Sequence, residues 1–388
     1  MKVLRNLVDK VKPNFVKGGK LEKWYPAFEA METFLFSPGE VTTHNVHIRD
    51  AMDLKRTMIT VVIAMVPTLL FGIWNTGYQH YLAYGMEMTH MDYFLFGLQK
   101  VLPIVVVSYA VGLGVEFIFA VVKGHPVSEG YLVTGMLIPL ILPVTIPLWM
   151  VALSAIFCTL IGKEIFGGTG MNFMNPALLS RAFLFFAFPA FMSGEIWTDL
   201  SPESGQVILD AYSGATNLVT YDVNYQQMQS VSDMFWGFEQ GSIGETSVFA
   251  CLIGAFILIL TGVGSWKIML SVFVGAAAMG LFFNGIAPAD DPTHYLHTPF
   301  YYHWLMGGFA FGAVYMATDP VTAAHTERGK WVYGLMIGGL IVIIRAFNPA
   351  YPEAVMMVIL LMNVHAPLID HIVVQNHIKK RLRRAIQQ

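Results

Sequence analysis

Residues 130–145 read Gly-Tyr-Leu-Val-Thr-Gly-Met-Leu-Ile-Pro-Leu-Ile-Leu-Pro-Val-Thr, and residues 307–322 read Gly-Gly-Phe-Ala-Phe-Gly-Ala-Val-Tyr-Met-Ala-Thr-Asp-Pro-Val-Thr. A shift of 177 residues lays Gly130 on Gly307, Gly135 on Gly312, and Pro143-Val144-Thr145 on Pro320-Val321-Thr322. A slip of four residues then brings Asn175-Pro176-Ala177 onto Asn348-Pro349-Ala350. Both stretches are apolar, too short to cross a bilayer, and closed by proline. Short proline-ended segments at matching places in two halves are the sequence mark of an inverted repeat with broken helices near the membrane midplane.

The rest of the chain agrees with a membrane setting. Of 388 residues, 55% are hydrophobic and 13% charged, against roughly 25% charged in a soluble domain. That composition excludes a disordered chain, a disulfide-stapled secreted domain and an ordinary cytosolic enzyme. Apolar runs predict spans near 57–75, 101–122, 130–142, 147–162, 176–192, 247–264, 267–287, 303–317, 331–347 and 352–370. The expected fold is therefore an all-α polytopic membrane protein of about ten transmembrane helices, arranged as two inverted five-helix repeats, with short broken helices near 130–142 and 303–317. The regions follow: 1–56, a cytoplasmic amphipathic amino-terminal region; 57–192, the first repeat; 193–246, an external loop; 247–370, the second repeat; 371–388, a basic cytoplasmic tail.

Basic residues orient these spans. With both termini cytoplasmic, 21 of 23 Lys and Arg fall on or near the cytoplasmic side, Arg181 counted among them, and only Lys100 and Arg345 fall near the other face. The loop 193–246 contains eight acidic residues and no Lys or Arg, as expected of an external segment. A net charge of −3 gives no reason to expect nucleic acid as a partner. Cys158 and Cys251 lie in apolar runs and read as core residues. His44 with His47, and His297 with His303, lack a third ligand at metal spacing, so no metal site is expected.

The external loop carries Asp210-Ala211-Tyr212-Ser213-Gly214-Ala215-Thr216. This Asp-x-x-Ser-Gly-Ala-Thr pattern resembles the flavinylation motif of the B-type subunit of the Na⁺-translocating NADH:quinone reductase, and of its sister, the D-type subunit of the Rnf complex. Further stretches share the likeness: Lys163–Gly170, Asn172-Phe173, Asn175-Pro176-Ala177, Gly244-Glu245, Ala317–Val321 and Phe347–Glu353. The extension before the first span, with Gly18-Gly19-Lys20, favours the reductase over the Rnf complex. Ala211 departs from the glycine often found there, and the acceptor position is intact.

The resemblance implies a component of a Na⁺-exporting, quinone-reducing complex that is inactive alone, in a bacterial inner membrane. FMN would be joined by a phosphoester to Thr216, within a site formed with Ser213, Gly214, Ala215 and Asp210, and riboflavin would bind non-covalently between the half-helices. Partners would be an NADH-, FAD- and iron–sulfur-bearing subunit, other membrane subunits, an external FMN subunit, quinone, Na⁺, the flavin transferase and the lipid bilayer. No strand–GxGxxG–helix unit is present, so NADH has to react on another subunit. Alternatives are an Rnf-type ion pump working from ferredoxin, or a passive channel resembling the urea and ammonium transporters.

The residues themselves add expectations. A phosphoester needs an exposed hydroxyl, and with no Lys or Arg in the loop, backbone N–H groups or a helix amino terminus are expected to bind its phosphate. Ionisable groups within spans cost about 2.5–3.5 kcal/mol each. Glu116, Asp319 and Asp370 are thus ion-path candidates, against simpler readings as a snorkelling side chain, a turn cap and an interfacial cap. Trp24 and Phe28 in an amphipathic stretch, with Gly112 and Gly114, are quinone candidates, against mere docking of the extension. Arg181 and Arg345 are expected to neutralise a carboxylate or a flavin.

Overall fold

Backbone that crosses hydrocarbon must satisfy its own N–H and C=O groups, and a helix does so within one segment. The computed structural model describes residues 2–16, 18–36, 54–124, 127, 130–200, 212–219, 228–288, 294–348 and 354–386, and among them every regular element is helical. On the amino-terminal side lie α1 (Lys2–Val11) and α2 (Tyr25–Leu35). The first half continues with α3 (Leu54–Ala83), α4 (His90–Lys123), α5 (Tyr131–Leu140), α6 (Leu148–Gly162) and α7 (Pro176–Ala187). A short α8 (Val231–Trp236) precedes α9 (Val248–Leu260) and α10 (Trp266–Ile286). Then come α11 (Tyr302–Leu305), α12 (Phe309–Phe311, continued by a π turn over Gly312–Met316), α13 (Glu327–Phe347) and α14 (Ala354–Ile386).

Nine of the ten predicted spans each coincide with one of these elements, and the one predicted over 303–317 is divided between α11 and α12. The first break follows α5, before Pro143 as expected, whereas the second falls at Gly307 rather than at Pro320. The segment at α5 is a single helix of 10 residues. Its counterpart is split between α11 and α12 at Gly307, whose φ of +56° is left-handed. Among the described residues, six helices are long and apolar enough to span a bilayer. Their outward faces, like that of the shorter α9, carry bare apolar side chains such as Val122, Phe256 and Leu260, the inverse of a soluble protein.

The broken segments form the core. Thr134 to Leu142 and Gly308 to Thr318 are buried throughout, as non-helical backbone at membrane depth must be. Each segment is anchored by a tyrosine set against a glycine. The Tyr131 hydroxyl donates to the Ser108 carbonyl (3.0 Å), and a Cβ on Gly112 would overlap its ring. The Tyr315 hydroxyl donates to the Ala64 carbonyl (2.9 Å), and a Cβ on Gly254 would overlap that hydroxyl. The Asn-Pro-Ala motif has a local explanation as well. Asn175 caps α7 by accepting from the Ala177 N–H (2.9 Å), and Pro176 occupies the first helical position, where no N–H is needed.

The α10–α13 seam uses small residues in the same way. A Cβ on Gly338 would come within 2.0 Å of the Val272 carbonyl oxygen, whereas one on Gly285 meets nothing within 4 Å. Close approach of this kind packs membrane helices where no hydrophobic effect drives them together. Gly338→Val is expected to destabilise by about 1–3 kcal/mol, and Gly285→Ala to be neutral or slightly stabilising. Heat-induced aggregation of the detergent-solubilised protein measures both; equal behaviour of the two variants would contradict the seam.

Candidate functional site

The end of α5 leaves three consecutive carbonyls without helical partners, and each is satisfied from elsewhere. The Gly244 N–H donates to the Leu140 carbonyl (2.7 Å), the Arg181 guanidinium to that of Ile141, and the Ile243 N–H to that of Leu142 (3.3 Å). Gly244 can sit there because a Cβ would be 2.6 Å from the Leu140 side chain. Arg181 also donates to Ser242 Oγ (3.0 Å) and pairs with Glu245 (3.3 Å). At the second break, Arg345 donates through Nη1 to the His303 carbonyl (2.8 Å) and through Nη2 to that of Met306 (2.9 Å). Both arginines are 2% exposed. Arg181 therefore does not mark the cytoplasmic edge, as its place in the sequence had implied. It projects from the short α7 to the end of α5 and the last residues of the external loop.

The described residues of the segment 193–246 pack over these breaks. Lys100 pairs with Asp199 (2.6 Å), and the Asn75 amide donates to the Glu239 carbonyl (2.9 Å). Residues 212–219 lie along this inner surface. Ser213 is exposed and donates weakly to Glu195 (3.4 Å), Gly214 packs on the Glu195 backbone, and the Ala215 N–H donates to Ser213 Oγ (3.3 Å). Asp210 lies outside the described residues.

Two sequence expectations for Thr216 require correction. Its side chain is not exposed: the residue is 8% accessible. Nor is it remote from arginine. Thr216 lines one cavity together with Arg181, Arg345, Glu239, Glu245 and Thr246. The loop itself supplies no cation, but α7 and α13 bring one each from elsewhere in the sequence.

Glu239 sits beside Thr216 through a short hydrogen bond to the Asn217 side chain. Burial pushes its carboxyl up to about 8, opposed by the Asn217 hydrogen bond and the positive charge of Arg345. The Thr246 hydroxyl is buried without a hydrogen-bond partner among the described residues. Guanidinium groups and a hydroxyl donor beside a threonine suit an anionic ester by charge and donor set. The free space among them, about 20 Å³, holds only a water-sized group, so the pocket has to open to admit a phosphate.

The ion-path candidates occupy different surroundings. Glu116 is 3% exposed and forms a buried ion pair with Lys163, rather than snorkelling to the interface. Asp319 accepts from the Val321 N–H (3.1 Å) and Thr322 Oγ1 (2.9 Å), and across the two halves from the Asn175 amide (3.3 Å). It is a turn cap that also lines a cavity of about 80 Å³ between the broken segments, with Thr134, Lys163, Asn175, Tyr315 and Thr318. Asp370, on α14, accepts from the His325 N–H (2.7 Å), the Thr326 N–H (2.9 Å) and the Thr326 hydroxyl (2.6 Å). It joins α14 to the start of α13.

The quinone candidates do not converge in one described cavity. Trp24 is half exposed in a groove with Tyr25, Val121 and Gly124, while Phe28 stacks on Phe15 (4.8 Å). Gly112 is filled by the Tyr131 ring, and Gly114 faces open space.

Burial of the Glu239 carboxyl, which pushes it up from 4.5 to about 8, makes folding pH-dependent. Between 4.5 and about 8, the folded chain holds a proton on Glu239 that the unfolded chain has released. Stability is then fullest below that window and falls as pH rises through it. Glu239→Gln should flatten this slope in thermal midpoints taken across the window; an unchanged slope would exclude Glu239 as its source. Asp370→Ala should cost about 0.5–2 kcal/mol through the lost cap, seen as earlier loss of the solubilised protein on heating.

Comparison with known proteins gives consistent matches. The model of the NQR2, RnfD, RnfE family matches residues 41–379. A protein from Chromohalobacter salexigens, described as the B subunit of Na(+)-translocating NADH-quinone reductase, is 46% identical, over 98% of this chain and 96% of the relative. Proteins of the same description from Stutzerimonas stutzeri and Pseudomonas aeruginosa are 45% and 44% identical, over 99% and 98% of this chain and 100% and 99% of theirs.

Proposed function

Because the chain belongs to the NQR2, RnfD, RnfE family, we propose that it is the B-type membrane subunit of a Na⁺-translocating NADH:quinone reductase, carrying FMN on Thr216 through a phosphoester and passing electrons toward quinone. The observation that carries this reading is the position of Thr216. The motif threonine lies in a cavity with Arg181 and Arg345, between the two helix breaks. FMN held there would supply electron-carrier chemistry; the chain's own contribution is a buried, cation-lined pocket that shields it from water. As Thr216 is buried, the transferase has to reach it before residues 212–219 close over the cavity.

The remaining assignments rest on placement. Riboflavin is assigned to the cavity between the broken segments, where Asn175, Thr318 and Asp319 offer polar groups on an apolar wall. The eight acidic residues of 193–246, with no Lys or Arg, support an external loop and cytoplasmic termini in a bacterial inner membrane. Electrons from NADH would arrive through other subunits of the complex, and Na⁺ and quinone would be handled with them. The relatives are described as the B subunit of the reductase, which favours that assignment over the Rnf-type alternative.

Flavin fluorescence on a denaturing gel tests the reading. Co-expressed with a flavin transferase, the chain should give a fluorescent band, and Thr216→Ala should abolish it while the protein still accumulates in membranes. A dark wild-type band, or an unchanged Thr216→Ala band, would overturn the assignment.

A further inference from the structure

We propose that Arg181 and Arg345, which close the two helix breaks, also form with Thr246 the anion clamp for the phosphate joined to Thr216. The inference rests on the flavin reading above and deepens it by assigning residues.

Three observations on different elements converge. First, the arginines come from α7 and α13, yet both line the cavity of Thr216. Leu218, two residues beyond the threonine, packs where a Cβ on Gly307 would project, and Arg345 Nη2 lies 3.8 Å from that same point. Second, a guanidinium has five N–H donors in a fixed fork, so serving a carbonyl and an anion together is within its geometry. Third, Thr246 brings a buried hydroxyl with no partner among the described residues into the same space.

The charge of the lining agrees. It holds two guanidinium groups and two carboxyl groups, of which Glu245 is paired with Arg181. The other carboxylate, Glu239, is held largely neutral at pH 7 by burial. A phosphodiester carries one negative charge, and the two guanidinium groups bring cationic donors to the same cavity. A charge-assisted pair of this kind is among the stronger hydrogen-bonded contacts. The arginines would thus bind carbonyls for the fold and phosphate for the cofactor.

A double-mutant cycle separates those two roles. Thr216→Val removes the attachment hydroxyl at nearly constant volume, and Arg345→Lys keeps the charge but loses the fork. The tagged subunit is heated within the detergent-solubilised complex, and its aggregation temperature is read by immunoblot, with gel fluorescence recorded in parallel. The clamp predicts that Arg345→Lys lowers this temperature by several degrees more in the Thr216 background than in Thr216→Val. Equal losses in the two backgrounds, with a fluorescent Thr216 band, would make Arg345 purely structural and overturn the clamp alone. A dark wild-type band would overturn the flavin reading and the clamp with it. Should Arg345→Lys fail to accumulate, Thr246→Val, which removes only a hydroxyl, is judged by the same criterion.

Discussion

Carbonyl groups left open where a helix stops inside a bilayer have no water to turn to, and each unsatisfied one costs about 1–3 kcal/mol or more. Two such stops are built into this chain, after α5 and between α11 and α12, and both are closed by a buried arginine. Much else follows from that constraint. Arg181 must be within reach of Ile141, so α7 has to start deep in the protein, at the Asn175 cap. Gly244 must be glycine-sized to bring its N–H to Leu140. The segment just before α9 has to fold inward, because Ile243 and Gly244 supply the remaining donors.

That inward fold joins structure to function. A loop covering two charged helix breaks brings its own motif against them, which is how Thr216 comes to share a cavity with Arg181 and Arg345. Cations buried for structural reasons make a low-dielectric pocket receptive to an anion. On the opposite side of the broken segments, Asp319 and Asn175 link the two halves across a second cavity.

Much of this was legible in the sequence. Apolar runs located the six long apolar helices found among the described residues and the shorter apolar ones beside them, because the constraint on them is composition over a fixed thickness. The proline that closes the first short segment marked the stop after α5, but the second break lies at Gly307, at the start of its segment rather than before Pro320, and the repeat alone did not show that. What could not be read was which distant residues meet. Glu116 gives no hint of Lys163, 47 residues away, and Arg181 looked like a topology marker because a basic residue near a span end usually is one. The cations missing from the loop sequence were supplied by α7 and α13. A buried arginine within a span was itself the available signal, as its cost demands a partner. Asp370 read as an interfacial cap before an ion ligand, and only the position of α13 shows which groups its oxygens cap.

The central claim is that Thr216 lies between the two arginine-closed breaks and bears its cofactor there. A cryo-EM map of the assembled complex at side-chain resolution tests it most directly. The expected result is flavin density continuous with Thr216 Oγ1, its phosphate between Arg181 and Arg345. A map in which residues 212–219 turn away from the breaks, or in which the arginines contact only carbonyls and carboxylates while a flavin is bound at Thr216, would contradict it.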